Sequence, residues 1–381
     1  MEDILSAAGT RHSERRQAYL DHIRVFLTAL VVFLHAGITY GAHGGWYYYE
    51  VKNVDLPLTM QVGYLLFDGV SQAYAMGFFF LIAGYFTPLS FARKGAVQFL
   101  RDRLLRLGIP LAVFALILGP VTIGLAGLME PGGSIFDGIT WVYVLRHYSC
   151  GPLWFAQALL LFSLLYVLFV RIVRPRTAGD FPPLPSRGAL LLVAVLTGAA
   201  SFSIRLGTPV GRVFAGMLPG YFASYLVLFF TGCMASYGRW LERVRWSYAL
   251  PWTIAALVLI VLLPAVFMIC PEPTSFLGGW NAYALFYAMW EPFVAWGVIL
   301  FILCVSRTYL SRTNAFMKAL ARQSFAVYCI HSPILVALTL LAHDWQAASL
   351  VKWIVVGLSA CVGSWLVAAA LVRLPGVRRI L

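Results

Sequence analysis

The chain has 381 residues, 61% of them hydrophobic and only 11% charged, with 28 Lys and Arg against 15 Asp and Glu. That balance excludes a water-soluble domain and indicates a polytopic membrane protein. The formal net charge of +13 follows from basic loops lying against anionic lipid headgroups, so it does not point to nucleic acid as a partner.

A span needs about 20 mostly apolar residues to cross a hydrocarbon core of about 30 Å. By that ruler ten are predicted, at 25–42, 63–91, 107–128, 153–172, 189–206, 217–238, 249–269, 283–305, 322–342 and 350–372. The runs are long rather than short and alternating, which favours helices over a barrel. The predicted fold is all-α, a polytopic membrane helical bundle. Residues 1–20 are read as a tail, 21–375 as the membrane domain and 376–381 as a second tail. The loops hold the Pro, Gly and charge clusters, "EPGGS" at 130–134, "RPRTAGDFPPLPSR" at 174–187 and "CPEPTSFLGG" at 270–279. With ten spans both termini share a side. That side takes 23 of the 28 basic residues and leaves Lys52, Arg146, Arg205, Arg212 and Lys352 opposite, so the termini are expected to be cytoplasmic. Residues 1–20 lack an apolar core followed by a cleavage site, and the first span is expected to act as its own insertion signal.

The first span opens with "DHIRVFLTALVVFLH", 21–35, in which Asp21, Arg24, Thr28, His35 and Thr39 fall on one helical face. His35 lies about 16 Å along the axis from Arg24, near the bilayer middle. An ionisable ring there needs a cavity or a partner, and both a functional role and a packing hydrogen bond are open. The following loop, "GAHGGWYYYE" at 41–50, suits either an interfacial aromatic belt or stacking on sugar rings. In the second span Asp68 is expected near the outer surface, in water. "GFFFLIAGYF", 77–86, sets Gly77, Ala83 and Gly84 among aromatics, which admits another helix or a thin ligand.

"FLRDRLLRLGIPL", 99–111, places Arg103 and Arg106 three apart on one face, a pair suited to phosphate oxygens as well as to the positive-inside rule. Glu291, beside Pro292, reads as a partner for a histidine or arginine or as a catalytic group. In "SFAVYCIHSPIL", 324–335, His331 shares a face with Ser324 and Tyr328 and lies about 14 Å in from Arg322. His12, His22, His43, His147 and His343 fall in tails, loops or span edges. Of six cysteines, Cys233, Cys304, Cys329 and Cys361 lie in spans, whereas Cys150 and Cys270 are both expected outside, where a disulfide is open. No metal-type spacing is present.

The chain resembles the acyltransferase 3 family of integral membrane acyltransferases, and within it the periplasmic glucan succinyltransferase branch. The features that carry this are "YLDHIRVFLTALVVFLH", "FFFLIAGYF", "RLLRLGIP", "GPLWF" and "SFAVYCIHSPI", in family order from about residue 17 to 375. The resemblance implies transfer of an acyl group from acyl-coenzyme A to a hydroxyl of a glycan or similar acceptor at the far side of the membrane, in bacteria the inner membrane. It matches His35 to an essential first-span histidine and Arg24 to its cytoplasmic partner. It matches Arg103 and Arg106 to the paired arginines of the third span, and His331 to a ninth-span histidine. One departure is Ala83-Gly84 where many members have Ser-Gly, so any role of that hydroxyl is absent. On this reading the arginines hold the nucleotide end of acyl-CoA, His35 takes the acceptor's proton, and Glu291 or His331 orients it. Acetyl or succinyl as the acyl group, and direct transfer or an acyl-enzyme, stay open. The rival is a proton-coupled transporter or flippase for a polysaccharide or lipid-linked precursor, expected to show inverted repeats; the halves 25–206 and 217–372 show no convincing one. A third reading is a scaffold in a polysaccharide export complex.

Overall fold

Glycine and proline set where the long apolar runs bend. The computed structural model describes residues 2–130, 132–137, 150–173 and 182–380, with the backbone alone at 2–17 and 379. Arg146, His147, Arg174, Arg176 and most of the 174–187 loop lie outside the described residues. Among the described residues the regular structure is helical, apart from an isolated bridge between Phe214 and Met217.

Helix α1 (Glu2–Thr39) carries the first span and runs unbroken from the segment read as a tail. Helix α2 (Leu58–Arg103) is 46 residues long, enough for two spans. It is two arms joined at Gly95, whose φ of 71° and ψ of 170° leave the helical region, a conformation that suits a residue without Cβ. Sixteen residues of straight helix would separate Thr87 from Arg103 by about 24 Å. Instead Arg103 Nη2 donates to Thr87 Oγ1 at 3.2 Å, and Phe91 meets Phe99 edge-on at 5.8 Å. The chain therefore reverses at Gly95, and the second and third predicted spans are its two arms.

The third span continues through a π-turn (Leu104–Gly108), α3 (Ile109–Val113), a second π-turn (Phe114–Leu118) and α4 (Gly119–Gly127). Pro110 and Pro120 follow the two turns. Each lacks an N–H, so the carbonyl four residues back has no intrahelical donor and the ladder widens locally. Helices α5 (Trp154–Val173), α6 (Arg187–Gly207), α7 (Phe222–Gly238), α8 (Trp246–Met268), α9 (Ala282–Tyr309), α10 (Ala315–Leu341) and α11 (Ser349–Leu371) follow.

Eight stretches are long and apolar enough to cross a membrane, one of them the run Leu58–Gly127 that Gly95 folds in two. With α7, whose 17 residues reach about 25 Å, they account for the ten predicted spans of an all-α bundle. Helix α1 packs against α10 and α11, α9 against α6, α8 and α2, and α2 against α7. Phe80 ties the middle together through Phe155 and Phe162 of α5 and Tyr225 of α7.

The α2–α7 contact is backbone against backbone. A Cβ on Gly84 would stand 2.0 Å from the Phe229 carbonyl oxygen, and one on Gly232 2.1 Å from that of Leu81. Gly84 thus serves the approach of another helix, as one of the two readings of this stretch had it, while its neighbour Ala83 lines a cavity. Gly84→Ala is expected to separate the two helices and cost about 1–3 kcal/mol. The check is the melting temperature in detergent, with Gly63→Ala, which meets nothing within 4 Å, unchanged.

Candidate active site

Two rings that the sequence places at similar depth meet in the structure. His331 Nε2 lies 3.2 Å from His35 Nδ1, with ring centroids 5.1 Å apart. Helices α1 and α10 make this possible by running parallel: Arg24 and Ser324 line one cavity, and the two histidines meet farther along both helices. His331 is fully buried, whereas His35 is partly exposed.

The hydrogen-bond pattern assigns the protons. His331 Nδ1 lies 2.7 Å from the carbonyl oxygen of Tyr328, which can only accept, so that nitrogen carries the N–H. In the neutral ring Nε2 then holds a lone pair and accepts from His35 Nδ1–H. His35 Nε2 is left as the unprotonated nitrogen. Tyr328 is fixed in turn, its hydroxyl donating to the carbonyl of Pro152, in the short turn just before α5.

From Tyr328 a cavity of ≈260 Å³ extends between α1, α2, α5 and α10 to Arg24 and Arg103. Phe79, Phe155 and Leu159 make its walls apolar. Arg24 donates to Asp21 Oδ1 at 3.2 Å, with its guanidinium 4.9 Å from the centre of the Phe86 ring. Arg103 is held by Thr87 and lies over Phe99. Two cations thus sit at one end of a narrow apolar slot and the imidazole pair beyond the other.

Arg106 stands at the mouth and not in the cavity. It is exposed and does not line the cavity with Arg103, because it sits in the π-turn Leu104–Gly108. At roughly 4.4 residues per turn, three positions no longer bring two side chains onto one face. Glu291 is also elsewhere. Its Oε2 accepts from Arg205 Nη2 in an ion pair joining α9 to α6, both residues buried. Arg205 Nε donates to the Gly220 carbonyl at 3.0 Å, and its guanidinium lies between the rings of Tyr221 and Tyr287, 5.3 and 5.2 Å away. No contact among the described residues joins Glu291 to either histidine.

One further expectation is revised and two open points are filled. Arg205 and Lys352, counted on the outer side, are buried, and Lys352 Nζ pairs with Glu50 Oε1 at 2.5 Å. Asp68 is buried, its Oδ2 accepting the backbone N–H of His43 at 2.7 Å, because the 41–50 loop folds inward over it. Cys150 and Cys270 are free thiols. Burial pushes the Cys150 thiol up to about 11, and it donates to the Gly216 carbonyl.

The 41–50 loop contributes what sequence reasoning weighed and did not place. Trp46 lies on His35 with ring centroids 4.2 Å apart and planes 24° from parallel, and 6.1 Å from His331. In the same loop, burial lowers the His43 imidazole and raises the Tyr47 hydroxyl, so both are neutral near pH 7.

A helical membrane bundle with an imidazole pair beyond an arginine-mouthed apolar slot has the parts of an integral membrane acyl-transfer enzyme. The chain matches the acyltransferase 3 family, described as an acyltransferase domain, over residues 17–369, and it belongs to that family. It is similar to glucans biosynthesis protein C of Escherichia coli strain K12, 29% identical over 169 residues, 42% of this chain and 40% of that protein. The protein of the same name in Escherichia coli strain SMS-3-5 is 28% identical over the same length. The chain spans less than half the length of these curated relatives. No solved structure matches it. The protein is a multi-pass membrane member of that family.

The placing of Glu291 makes a prediction. Glu291→Ala strips a buried guanidinium of its counter-charge and is expected to cost about 3–5 kcal/mol of stability. Replacing both partners, Arg205→Met with Glu291→Leu, recovers most of it. Thermal melts of the three proteins in detergent check this, since a purely chemical role for Glu291 would leave the melting temperature of the single variant unchanged.

Proposed function

We propose that this enzyme is an O-acyltransferase. It moves an acetyl- or succinyl-class group from acyl-CoA, bound from the cytoplasm, to a hydroxyl of a glycan or similar acceptor at the outer side of a bacterial inner membrane. The observation that carries the reading is the histidine pair, with His35 Nδ1 turned to His331 and Nε2 outside that bond, standing past the inner end of the slot that Arg24 and Arg103 open. Basic residues gathered at that end, and kept to it by the positive-inside rule, make it the cytoplasmic one.

Coenzyme A has the shape this slot favours. Its phosphorylated nucleotide is anionic and would stay with Arg24, Arg103 and, at the exposed mouth, Arg106. Its pantetheine arm is long and thin, and the walls are apolar and narrow. The distance from Arg24 to His35, about 16 Å along α1, is then the length over which the thioester is delivered.

His35 Nε2 takes the proton of the acceptor hydroxyl as its oxygen attacks the thioester carbonyl. As His35 becomes cationic its Nδ1–H bond to neutral His331 strengthens, since a charged donor makes the stronger bond. His331 is a positioning residue, because it holds the His35 tautomer and accepts from it without touching substrate. Glu291 takes no part in the chemistry and pins α6 to α9. Direct transfer fits this arrangement, since the described bonds of His35 place it beside no thiol or hydroxyl that it could activate. The relatives' name, glucans biosynthesis protein C, supports a glucan as the acceptor class.

The test is release of free coenzyme A from acetyl-CoA and succinyl-CoA, with and without glucan oligosaccharides, by the purified protein. His35→Ala is expected to lower kcat by about 10²–10⁴-fold with coenzyme A binding retained. Arg103→Ala is expected to raise KM about tenfold or more with kcat little changed, as for loss of uniform binding. Retained turnover in His35→Ala would refute the reading.

A further inference from the structure

Acyl transfer has one requirement that the histidine pair does not meet. When an oxygen adds to a thioester carbonyl, the carbonyl oxygen becomes negative and needs a hydrogen-bond donor already in place. Arg24 is about 16 Å along α1 from His35, and Arg103 is tied to Thr87 at the same end of the slot. Both nitrogens of His331 are engaged. The missing donor has to stand beside His35, out of water, with its hydrogen uncommitted.

Trp46 meets these conditions. Its ring lies on that of His35, with centroids 4.2 Å apart and planes 24° from parallel. Its Nε1 is buried and has no hydrogen-bond partner among the described residues. A buried N–H left unpaired costs about 1–3 kcal/mol, and native structures hold few of them. The near-parallel rings put the indole N–H and the Nε2 lone pair of His35 in adjacent layers. An N–H in the layer next to the imidazole is of the right kind to hold the oxyanion of a carbon attacked at His35.

The loop that carries Trp46 is fixed before any substrate arrives. The Trp46 backbone N–H donates to Tyr49 Oη at 2.8 Å, and that hydroxyl donates to the Gly44 carbonyl at 3.1 Å. Asn53 Nδ2 donates to the Gly41 carbonyl at 2.7 Å, and the Glu50 N–H to that of Thr39 at 2.9 Å. Lys352 closes the far side through Glu50 and the His343 carbonyl, at 2.5 and 3.1 Å. A donor held this firmly costs little reorganisation at the moment of reaction.

We propose that the indole N–H of Trp46 is the oxyanion donor of the acyl-transfer centre, an assignment that rests on the acyl-CoA reading above. The acceptor proton passes to His35 Nε2, the new C–O bond forms, and the carbonyl π pair moves onto the oxygen held by Trp46. When that pair returns the C–S bond breaks, and the coenzyme A sulfur leaves with the bonding electrons and takes the proton from His35. Trp46 gives a hydrogen bond throughout and keeps its proton.

The experiment places benzothienylalanine at position 46 of the full chain in lipid nanodiscs. Sulfur replaces the N–H and the ring shape is kept. Coenzyme A release from acetyl-CoA and succinyl-CoA and equilibrium binding of coenzyme A are measured beside Trp46→Phe and His35→Ala. The expected result is a kcat lower by about 10²–10³-fold in both position-46 variants, with KM and coenzyme A binding unchanged. A benzothienylalanine protein as fast as the native one overturns the assignment, and so does loss of coenzyme A binding in step with rate, which would mark Trp46 as a structural plug. If His35→Ala is inactive while the benzothienylalanine protein is active, the Trp46 assignment alone fails. If the native protein releases coenzyme A from neither thioester, or His35→Ala keeps the native rate, the acyl-CoA reading fails and this assignment goes with it.

Discussion

The hydrogen bond from His35 to His331 depends on an acceptor that cannot change its role. The Tyr328 carbonyl takes the Nδ1 hydrogen of His331, and every later proton position follows from that. A carbonyl cannot donate, so the neutral His331 presents a lone pair, His35 presents a hydrogen to it, and the outer nitrogen of His35 is the basic one. The geometry needs α1 and α10 parallel and in register at this depth, and it needs Tyr328 immobile. The Pro152 carbonyl supplies the second condition by accepting the Tyr328 hydroxyl, which links the turn before α5 to the proton arrangement three residues further along α10.

Two sets of ionisable groups lie inside the bundle, and charge and exposure separate them. Arg205 and Glu291 cancel each other's charge, and the guanidinium is flanked by Tyr221 and Tyr287. A closed pair of this kind fixes helices, and its removal is felt as a loss of stability. The histidine pair has no carboxylate partner among its described bonds and is partly exposed on one member, with His35 Nε2 outside the hydrogen bond that joins the rings. In a membrane interior a polar group without a partner is expensive. Arg205 Nη1 and Glu291 Oε1 also lack one among the described residues but sit inside a charge-cancelling pair, whereas Trp46 Nε1 stands beside an imidazole.

Much of this was legible in the sequence. Ten apolar runs give the bundle, since length and hydropathy decide what a bilayer accepts. Rise per residue put His35 and His331 at similar depths, and the helical repeat put Arg24 on the face of His35. What failed did so where local backbone departs from the regular helix or where long-range pairing decides. Three-residue spacing promised Arg103 and Arg106 a shared face, but Pro110 brings a π-turn between them. Lys352 is the third residue of the predicted span 350–372 and was counted on the outer side; its partner, Glu50, is some 300 positions away and leaves no local signal. Asp68 was placed in water because nothing in a sequence announces that a loop will fold back over it. The one cue for Trp46 was its position, eleven residues after His35, in a loop too aromatic to be a mere connector.

The slot and the loop approach His35 from opposite ends. Arg24 and Arg103 mark one approach, with the apolar walls between α1, α2, α5 and α10. The other is covered by the loop carrying Trp46, whose ring closes over the imidazole. In the proposed reaction the donor enters along the first and the acceptor meets it at the second. Neither substrate has to cross the bilayer, since only the acyl group changes hands, over little more than a bond length. Such an arrangement needs no alternation between inward-open and outward-open states. It needs a rigid partition with one reactive atom set in it, and the backbone contact at Gly84 and Gly232, the closed Arg205–Glu291 pair and the bolted loop all favour rigidity over rocking. A carrier would instead have to expose its buried ionisable groups to each side in turn.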